Sequence, residues 1–183
     1  MLTLGVIADT HIPDRARNLP LEVLDIFQAA EVTAILHAGD VSEPGVLAQL
    51  NEVAPVYAVR GNRDWIRLRY LPHKLKLNFN GVTIAMTHGH GSLGYYFGDK
   101  IDLLVKGIPT FDRFEQRVMR MFSDVQVIIF GHIHHPVNRL VDGVLLFNPG
   151  SPCCPIPQGT KPSVGLLKIA SGGEVMSETV PLP

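Results

Sequence analysis

The sequence predicts an α/β fold, a two-sheet β-sandwich flanked by helices. Three observations carry this. The first third alternates short apolar runs with amphipathic ones, the signature of strands joined by helical crossovers. From residue 74 onward, alternating runs meet at Asn-Gly and Asp-Gly, the strongest short-range hairpin signal. Finally, no repeat, low-complexity tract or linker divides residues 1–183, and a chain of 183 residues fits one domain at about 100–200 residues each.

The elements follow in order. Leu2–Ala8 reads as a buried strand. Pro20 opens a helix running to about Ala30, with Leu21, Leu24 and Phe27 expected on its buried face. Thr33–His37 is strand-like. Glu43–Val53 reads as a helix burying Val46, Leu47 and Leu50, and Val56–Val59 as a third strand. This βαβαβ order implies a parallel sheet. Lys74–Phe79 and Val82–Met86 form a hairpin through Asn80-Gly81. A second spans Val137–Phe147 around Asp142-Gly143, and a third joins Val164–Ala170 to Glu174–Val180 through Ser171-Gly172-Gly173. Residues 93–124 break the rhythm with Tyr95-Tyr96-Phe97, Ile101–Val105 and a helical Phe111–Phe122 whose apolar face holds Phe111, Phe114, Val118, Met121 and Phe122.

Composition narrows the function. Hydrophobic residues at 46% and charged residues at 18% are a globular balance. A net charge of −1 and a pI near 6.7 argue against binding polymeric nucleic acid or acidic membranes through broad electrostatics, while leaving room for a local basic patch. No apolar run approaches the roughly 20 residues of a membrane span. The first residues read as a strand and not as a signal peptide. Cys153 and Cys154 are adjacent and cannot close a long loop. The expected setting is therefore reducing and cytoplasmic, with the pair read as small loop residues and a redox role as the alternative.

The polar clusters lie just after the strand-like runs: Asp9-Thr10-His11, Gly39-Asp40, Gly61-Asn62-Arg63-Asp64, His88-Gly89-His90 and Gly131-His132-Ile133-His134. Open α/β sheets place their sites beyond the carboxyl ends of strands, so five clusters at five such ends should converge. Asp9, His11, Asp40, Asn62, His88, His132 and His134 offer carboxylate, amide oxygen and imidazole nitrogen, a donor set suited to Mn, Fe, Zn, Co or Ni. Asp9/His11 and His132/His134 are i, i+2 pairs, which in extended chain point to one side. Seven donors exceed one tetrahedral ion and suit two metals, with Asp40 as the bridging carboxylate.

The order Asp-x-His, Gly-Asp, Gly-Asn-x-Asp, His-Gly-His, Gly-His-x-His resembles the calcineurin-like metallophosphoesterase superfamily. Within it, the chain is most similar to the small bacterial and archaeal phosphodiesterases of the YfcE type. Asn148-Pro149-Gly150-Ser151 resembles that family too, so the motifs run from Asp9 to Ser151. The resemblance implies a metallo-dependent phosphatase-like sandwich and two divalent metal ions, manganese foremost, with Fe, Zn, Ni or Co as alternatives. It implies one metal on Asp9, His11, His134 and Asp40, and the second on Asn62, His88, His132 and the same Asp40. The implied activity is hydrolysis of a phosphodiester P–O bond by in-line attack of a metal-bridging hydroxide. Two cations about 3.5–4 Å apart make that hydroxide available near neutral pH and neutralise the phosphoryl oxygens. Histidine ligands must be neutral, so acid should strip the metals. The expected partner is a small phosphodiester, nucleotides included. A homo-oligomer stays open.

One departure matters. Many members of the wider superfamily carry His after the Gly-Asn, thought to protonate the leaving group, where this chain has Arg63. Arginine cannot donate a proton near pH 7 but can bind a phosphate oxygen. The candidate catalytic residues are thus Asp40, Asn62, Arg63 and His90, the last expected to support a ligand or face the phosphate. Arg63 pointing to solvent or pairing with Asp64 is the plain alternative. His37 could orient a ligand or be structural, and His73 and His135 carry no assignment. The 93–124 stretch is longer than the family pattern. It reads either as a cap that stacks Tyr95, Tyr96 and Phe97 on a substrate ring, or as a packed helix or subunit interface. Gly89–Gly94 matches G-x-G-x-x-G but follows the returning strand of a hairpin, which is the wrong context for a dinucleotide site. P-loop, serine-hydrolase and zincin motifs are absent. The rival function is a metal-binding scaffold or protein-interaction module of the same fold, as in the retromer subunit that shares it. Loss of ligands would mark such a scaffold, and here all seven are present.

Overall fold

A computed structural model describes residues 1–91 and 111–183. The expectations for Tyr95, Tyr96, Phe97 and Ile101–Val105, and hence for a cap, lie outside the described residues. Two five-stranded sheets pack face to face. The first comprises β1 (Leu2–Ile7), β2 (Ala34–His37), β3 (Val56–Ala58), β9 (Ser163–Ile169) and β10 (Val175–Pro181), in the order β10-β9-β1-β2-β3. The second comprises β4 (Lys74–Phe79), β5 (Val82–Thr87), β6 (Val127–Phe130), β7 (Pro136–Val141) and β8 (Val144–Pro149), in the order β4-β5-β6-β8-β7. Helices α1 (Leu21–Ala29) and α2 (Pro44–Asn51) cover the first sheet, and α3 (Phe111–Met119) the second.

Strands β1, β2 and β3 run parallel, with Gly5 opposite Ile35 and Ile35 opposite Val56. The β4–β5 and β7–β8 hairpins turn on Asn80-Gly81 and Asp142-Gly143. All four residues have positive φ (50° and 82°, 50° and 80°), as tight hairpin turns require. The β9–β10 hairpin joins the first sheet, pairing antiparallel with β1. The inner core between the sheets holds Leu4, Val6, Leu36, Ile84, Met86, Ile129, Phe147 and Leu167. Outside the first sheet, Val23 and Phe27 of α1 and Val46 and Leu50 of α2 pack on Ile7 and Ile35. A Cβ on Gly5 would sit 3.0 Å from the Phe27 ring, so the missing side chain is what lets the ring lie on β1. Outside the second sheet, Phe114 and Val118 pack on Ala85, Ile128, Phe130 and Leu146.

The buried face of α1 differs from the expected one. Val23 and Phe27 are buried, Leu24 is half-buried and Leu21 is 72% exposed. Residues three apart drift about 60° around a helix at each step, so Leu21 rotates away from the face that Phe27 anchors. In α2, Leu47 likewise sits at the margin of the Val46–Leu50 stripe.

Candidate metal centre

The carboxyl ends of β1 and β2 in one sheet meet those of β5 and β6 in the other. Each strand releases its ligand-type residue into a sharp turn. Asp9, His11, Asp40, His132 and His134 all have positive φ, between 51° and 76°. The i, i+2 pairs therefore share a site through left-handed turns, and not by the extended chain that their spacing suggested. Such backbone costs of order 1–3 kcal/mol per residue and persists only where the surroundings enforce it.

All seven predicted donor residues converge. His11 Nε2 lies 3.1 Å from His134 Nε2 and 3.4 Å from Asp40 Oδ2. Asp9 Oδ1 is 3.8 Å from His11 Nε2 and 3.5 Å from His134 Nε2. On the other flank, Asn62 Oδ1 is 3.1 Å from both His88 Nε2 and His132 Nδ1, and His88 Nε2 is 3.4 Å from Asp40 Oδ1. Asp40 thus turns one oxygen to each group. Ligand atoms around an ion at about 2.0–2.1 Å lie roughly 3.0–3.4 Å apart, so the donor set fits divalent cations.

Neighbouring groups fix the rings. His88 Nδ1 donates to the Ala38 carbonyl at 2.9 Å, and His134 Nδ1 to that of Cys154 at 2.6 Å, so each ring turns Nε2 inward. The His132 N–H donates to Asp9 Oδ2 at 2.9 Å, and the Arg63 N–H to Asp40 Oδ1 at 2.8 Å. Glycines make the approach feasible. A Cβ at Gly61 would fall 2.1 Å from Asp40 Oδ1, and one at Gly131 2.9 Å from His88 Nδ1.

Burial and close opposite charges shift the titratable groups in opposing directions. Burial pushes the Asp9 carboxyl up to about 6, against the pull of His134 and His88. Burial opposes the charge on Asp40 as well, but His88, His11 and the Arg63 N–H outweigh it and hold that carboxyl below its ordinary value. Burial would lower His88, yet Asp40 and Asp9 raise it to about 9. His134 likewise rises to about 9 through Asp9 and Cys154. His11 is pushed down to about 3, chiefly by burial.

Residues 2–172 match the calcineurin-like phosphoesterase superfamily domain. The chain belongs to that superfamily. It is 34% identical to a probable metallophosphoesterase of Methanothermobacter thermautotrophicus over 168 residues, 92% of this chain and 86% of the relative. It is 25% identical to a phosphodiesterase of Methanocaldococcus jannaschii over 179 residues, 91% of this chain and 92% of the relative. In structure it is similar to a zinc complex of Vps29 from Entamoeba histolytica, with a TM-score of 0.69 and 24% identity over the whole of both chains, a likeness of fold.

For a calcineurin-like phosphoesterase, three supporting residues stand out that sequence reasoning left without a role. The buried Asp64 carboxylate accepts from the N–H groups of Asp40 (2.9 Å), Gly61 (2.8 Å) and Ser42 (2.8 Å), tying the Asp40 turn to the Asn62 turn. Its oxygens point inward, so it is not a partner for the exposed Arg63 side chain. Ser151 Oγ donates to the Asp9 carbonyl at 2.7 Å, while Asn148 Nδ2 donates to that of Gly131 at 3.1 Å, so the Asn-Pro-Gly-Ser loop braces two further turns. An Asp three residues after a turn glycine, in Gly61-Asn62-Arg63-Asp64, was the available signal for Asp64, and it was too common to single out.

His37 is fully buried. Its Nδ1 accepts from the Gly39 N–H, and its Nε2 faces Thr10 Oγ1 at 3.3 Å, so it braces the turn backbone and no ligand side chain. His90 lies beside the second group, its ring 5.4 Å from that of His88 and 6.3 Å from that of His132. The two cysteines are free thiols, and Cys154 Sγ sits 3.3 Å from His134 Nδ1. Gly89, His90 and Gly91 of the G-x-G-x-x-G match follow β5, the returning hairpin strand, as expected; residues 92–94 lie outside the described residues.

Proposed function

We propose that this chain is a dinuclear-metal-dependent phosphodiesterase that hydrolyses one P–O bond of a small phosphodiester in the cytoplasm. The observation that supports it is the two-sided Asp40 carboxylate, Oδ2 toward His11 and Oδ1 toward His88. On this reading Asp9, His11, His134 and Asp40 would hold one divalent cation. Asn62, His88, His132 and the same Asp40 would hold the second, manganese being the expected metal. Once bound, such a pair supplies hydroxide near neutral pH for in-line attack and neutralises the phosphoryl oxygens.

The chain's own groups do the rest. His88 and His134 are held by their Nδ1–H bonds, so their geometry needs no rearrangement during the reaction. Arg63 is exposed one residue beyond Asn62, where its guanidinium can hold a phosphate oxygen as a permanent cation. It cannot protonate a leaving group. His90, pushed down to about 4 chiefly by burial, is neutral at pH 7 and is no ready proton donor either. Esters with acidic leaving groups, such as nitrophenyl esters, should therefore turn over much faster than alkyl esters.

The test is hydrolysis of bis-p-nitrophenyl phosphate and p-nitrophenyl phosphate by Mn-loaded protein, with metal content measured on the same sample. Faster diester than monoester turnover at two metals per chain supports the proposal. Two metals with no turnover of either ester would favour the scaffold instead.

A further inference from the structure

The segment after Asn62 is pinned by an unusual set of anchors. Asp64 is bound by three backbone N–H groups, and Leu68 is fully buried in the core beneath α1 and α2, where Leu71 also packs. Positions 64, 68 and 71 are spaced i, i+4, i+7, and the Leu68 N–H bonds the Asp64 carbonyl at 3.1 Å, so one helix-like face is turned inward. Everything between them is forced outward. Trp65 is 68% exposed, Ile66 65% and Tyr70 68%. Arg63, Arg67 and Arg69 are exposed as well, and the segment's one carboxylate, Asp64, is turned into the protein. Arg67 pairs with Glu43, but among the described residues no carboxylate pairs with Arg63 or Arg69.

Large apolar side chains left in water so close together mark a binding surface, and the cations around them select an anion carrying a flat apolar group. Three residues of chain reach at most about 11 Å, so the Trp65 backbone stays within that distance of Asn62, a proposed ligand of the centre. This matches the span from a phosphate to the base of its own nucleotide.

We propose that Trp65, with Tyr70 and the Arg63 and Arg69 charges, forms a base-stacking rim that makes a nucleobase-bearing phosphodiester the substrate class of this centre. The inference rests on the proposed phosphodiesterase reading for its location, though the stacking itself does not require turnover. A stacked base contributes about 1–3 kcal/mol and tolerates any base, so Trp65→Ala should weaken binding by about tenfold or more.

Trp65 is the chain's only tryptophan, so its fluorescence reports this surface alone. Thymidine 5′-monophosphate and a short oligothymidylate are titrated in parallel, with ribose 5-phosphate as the base-free control. Quenching by the thymidine ligands and not by the control supports the rim, and the tighter of the two identifies its source as a free nucleotide or a strand end. In activity, thymidine 5′-p-nitrophenyl phosphate is compared with methyl p-nitrophenyl phosphate, which has the same leaving group and no base. The wild type should favour the thymidine ester in kcat/KM about tenfold or more. Trp65→Ala should erase that preference with the methyl ester unaffected, and Trp65→Phe should retain most of it. Quenching without turnover of any ester would overturn the catalytic reading, and with it the substrate class, and keep only the stacking rim as a nucleotide-binding surface. Fluorescence unmoved by nucleotide, with equal rates on both esters, would overturn the rim and leave the face as a protein-docking surface.

Discussion

Replacing Asp64 tests whether a residue that touches no substrate sets the geometry of the centre. Its carboxylate satisfies three N–H groups, Asp40 and Gly61 through Oδ2 and Ser42 through Oδ1. Asp64→Ala leaves three buried donors, each costing about 1–3 kcal/mol if unpaired. Water entering the vacated space brings the total toward the low end, about 3–4 kcal/mol, a large share of the roughly 5–15 kcal/mol that holds a domain folded. At about 2–4 °C per kcal/mol for a chain of this size, the melting temperature should fall by roughly 10 °C. Asp64→Asn is milder, because one amide oxygen can still serve the Asp40 and Gly61 N–H groups while the amide NH2 opposes only Ser42. Its cost should be about 1–2 kcal/mol. Both turns carry candidate ligands, so metal affinity should follow the same order, with a loss of about 10–100-fold for alanine. Urea unfolding of metal-free protein and metal content after dialysis measure the two effects. An alanine variant within about 0.5 kcal/mol of wild type, or an asparagine variant worse than alanine, would refute the reasoning.

Further predictions concern the site itself. Gly61→Ala should abolish metal binding while the sheets persist by circular dichroism, because its Cβ would overlap Asp40 Oδ1; retained stoichiometry would contradict the packing. Without metal at pH 7.5, His88 and His134, both raised to about 9, carry protons that ligation must displace. Calorimetry in buffers of different ionisation enthalpy should thus show about two more protons released per loaded chain at pH 7.5 than near pH 10. His37 is pushed down to about 3 by burial and then by His88, so the folded state binds fewer protons than the unfolded chain between about 6.5 and 3. Its share of stability is full above about pH 6.5 and is lost as pH falls toward 3. Accordingly, His37→Gln should flatten the acid limb of the metal-free urea midpoint, and an unchanged limb would exclude His37 as a contributor. Arg63→Ala should raise KM for bis-p-nitrophenyl phosphate about tenfold with a smaller change in kcat; an unaltered KM would place its guanidinium away from the phosphate.

The sequence by itself determined the strands, the two Asn-Gly and Asp-Gly hairpins and which seven side chains were candidate donors. These depend on local chemistry: period-two alternation, residues that accept positive φ, and side chains with metal-seeking lone pairs. Strand ends announced the site because polar residues following apolar runs have one economical place to lie, the rim where the strands stop. Only tertiary structure decided which sheet the last hairpin joins: β9, buried on both faces, lies between β1 and β10, a partner choice that depends on chain far away in sequence. It alone decided the left-handed turns at Asp9, His11, Asp40, His132 and His134, which neighbouring turns impose against local preference. The role of Asp64 was hidden for the same reason. A carboxylate that binds three backbone N–H groups reads, residue by residue, like any aspartate in a turn, because two of its three partners come from chain more than twenty residues away. The outward Trp65 face was equally illegible, since exposure is the residue left over once the core has chosen Leu68 and Leu71.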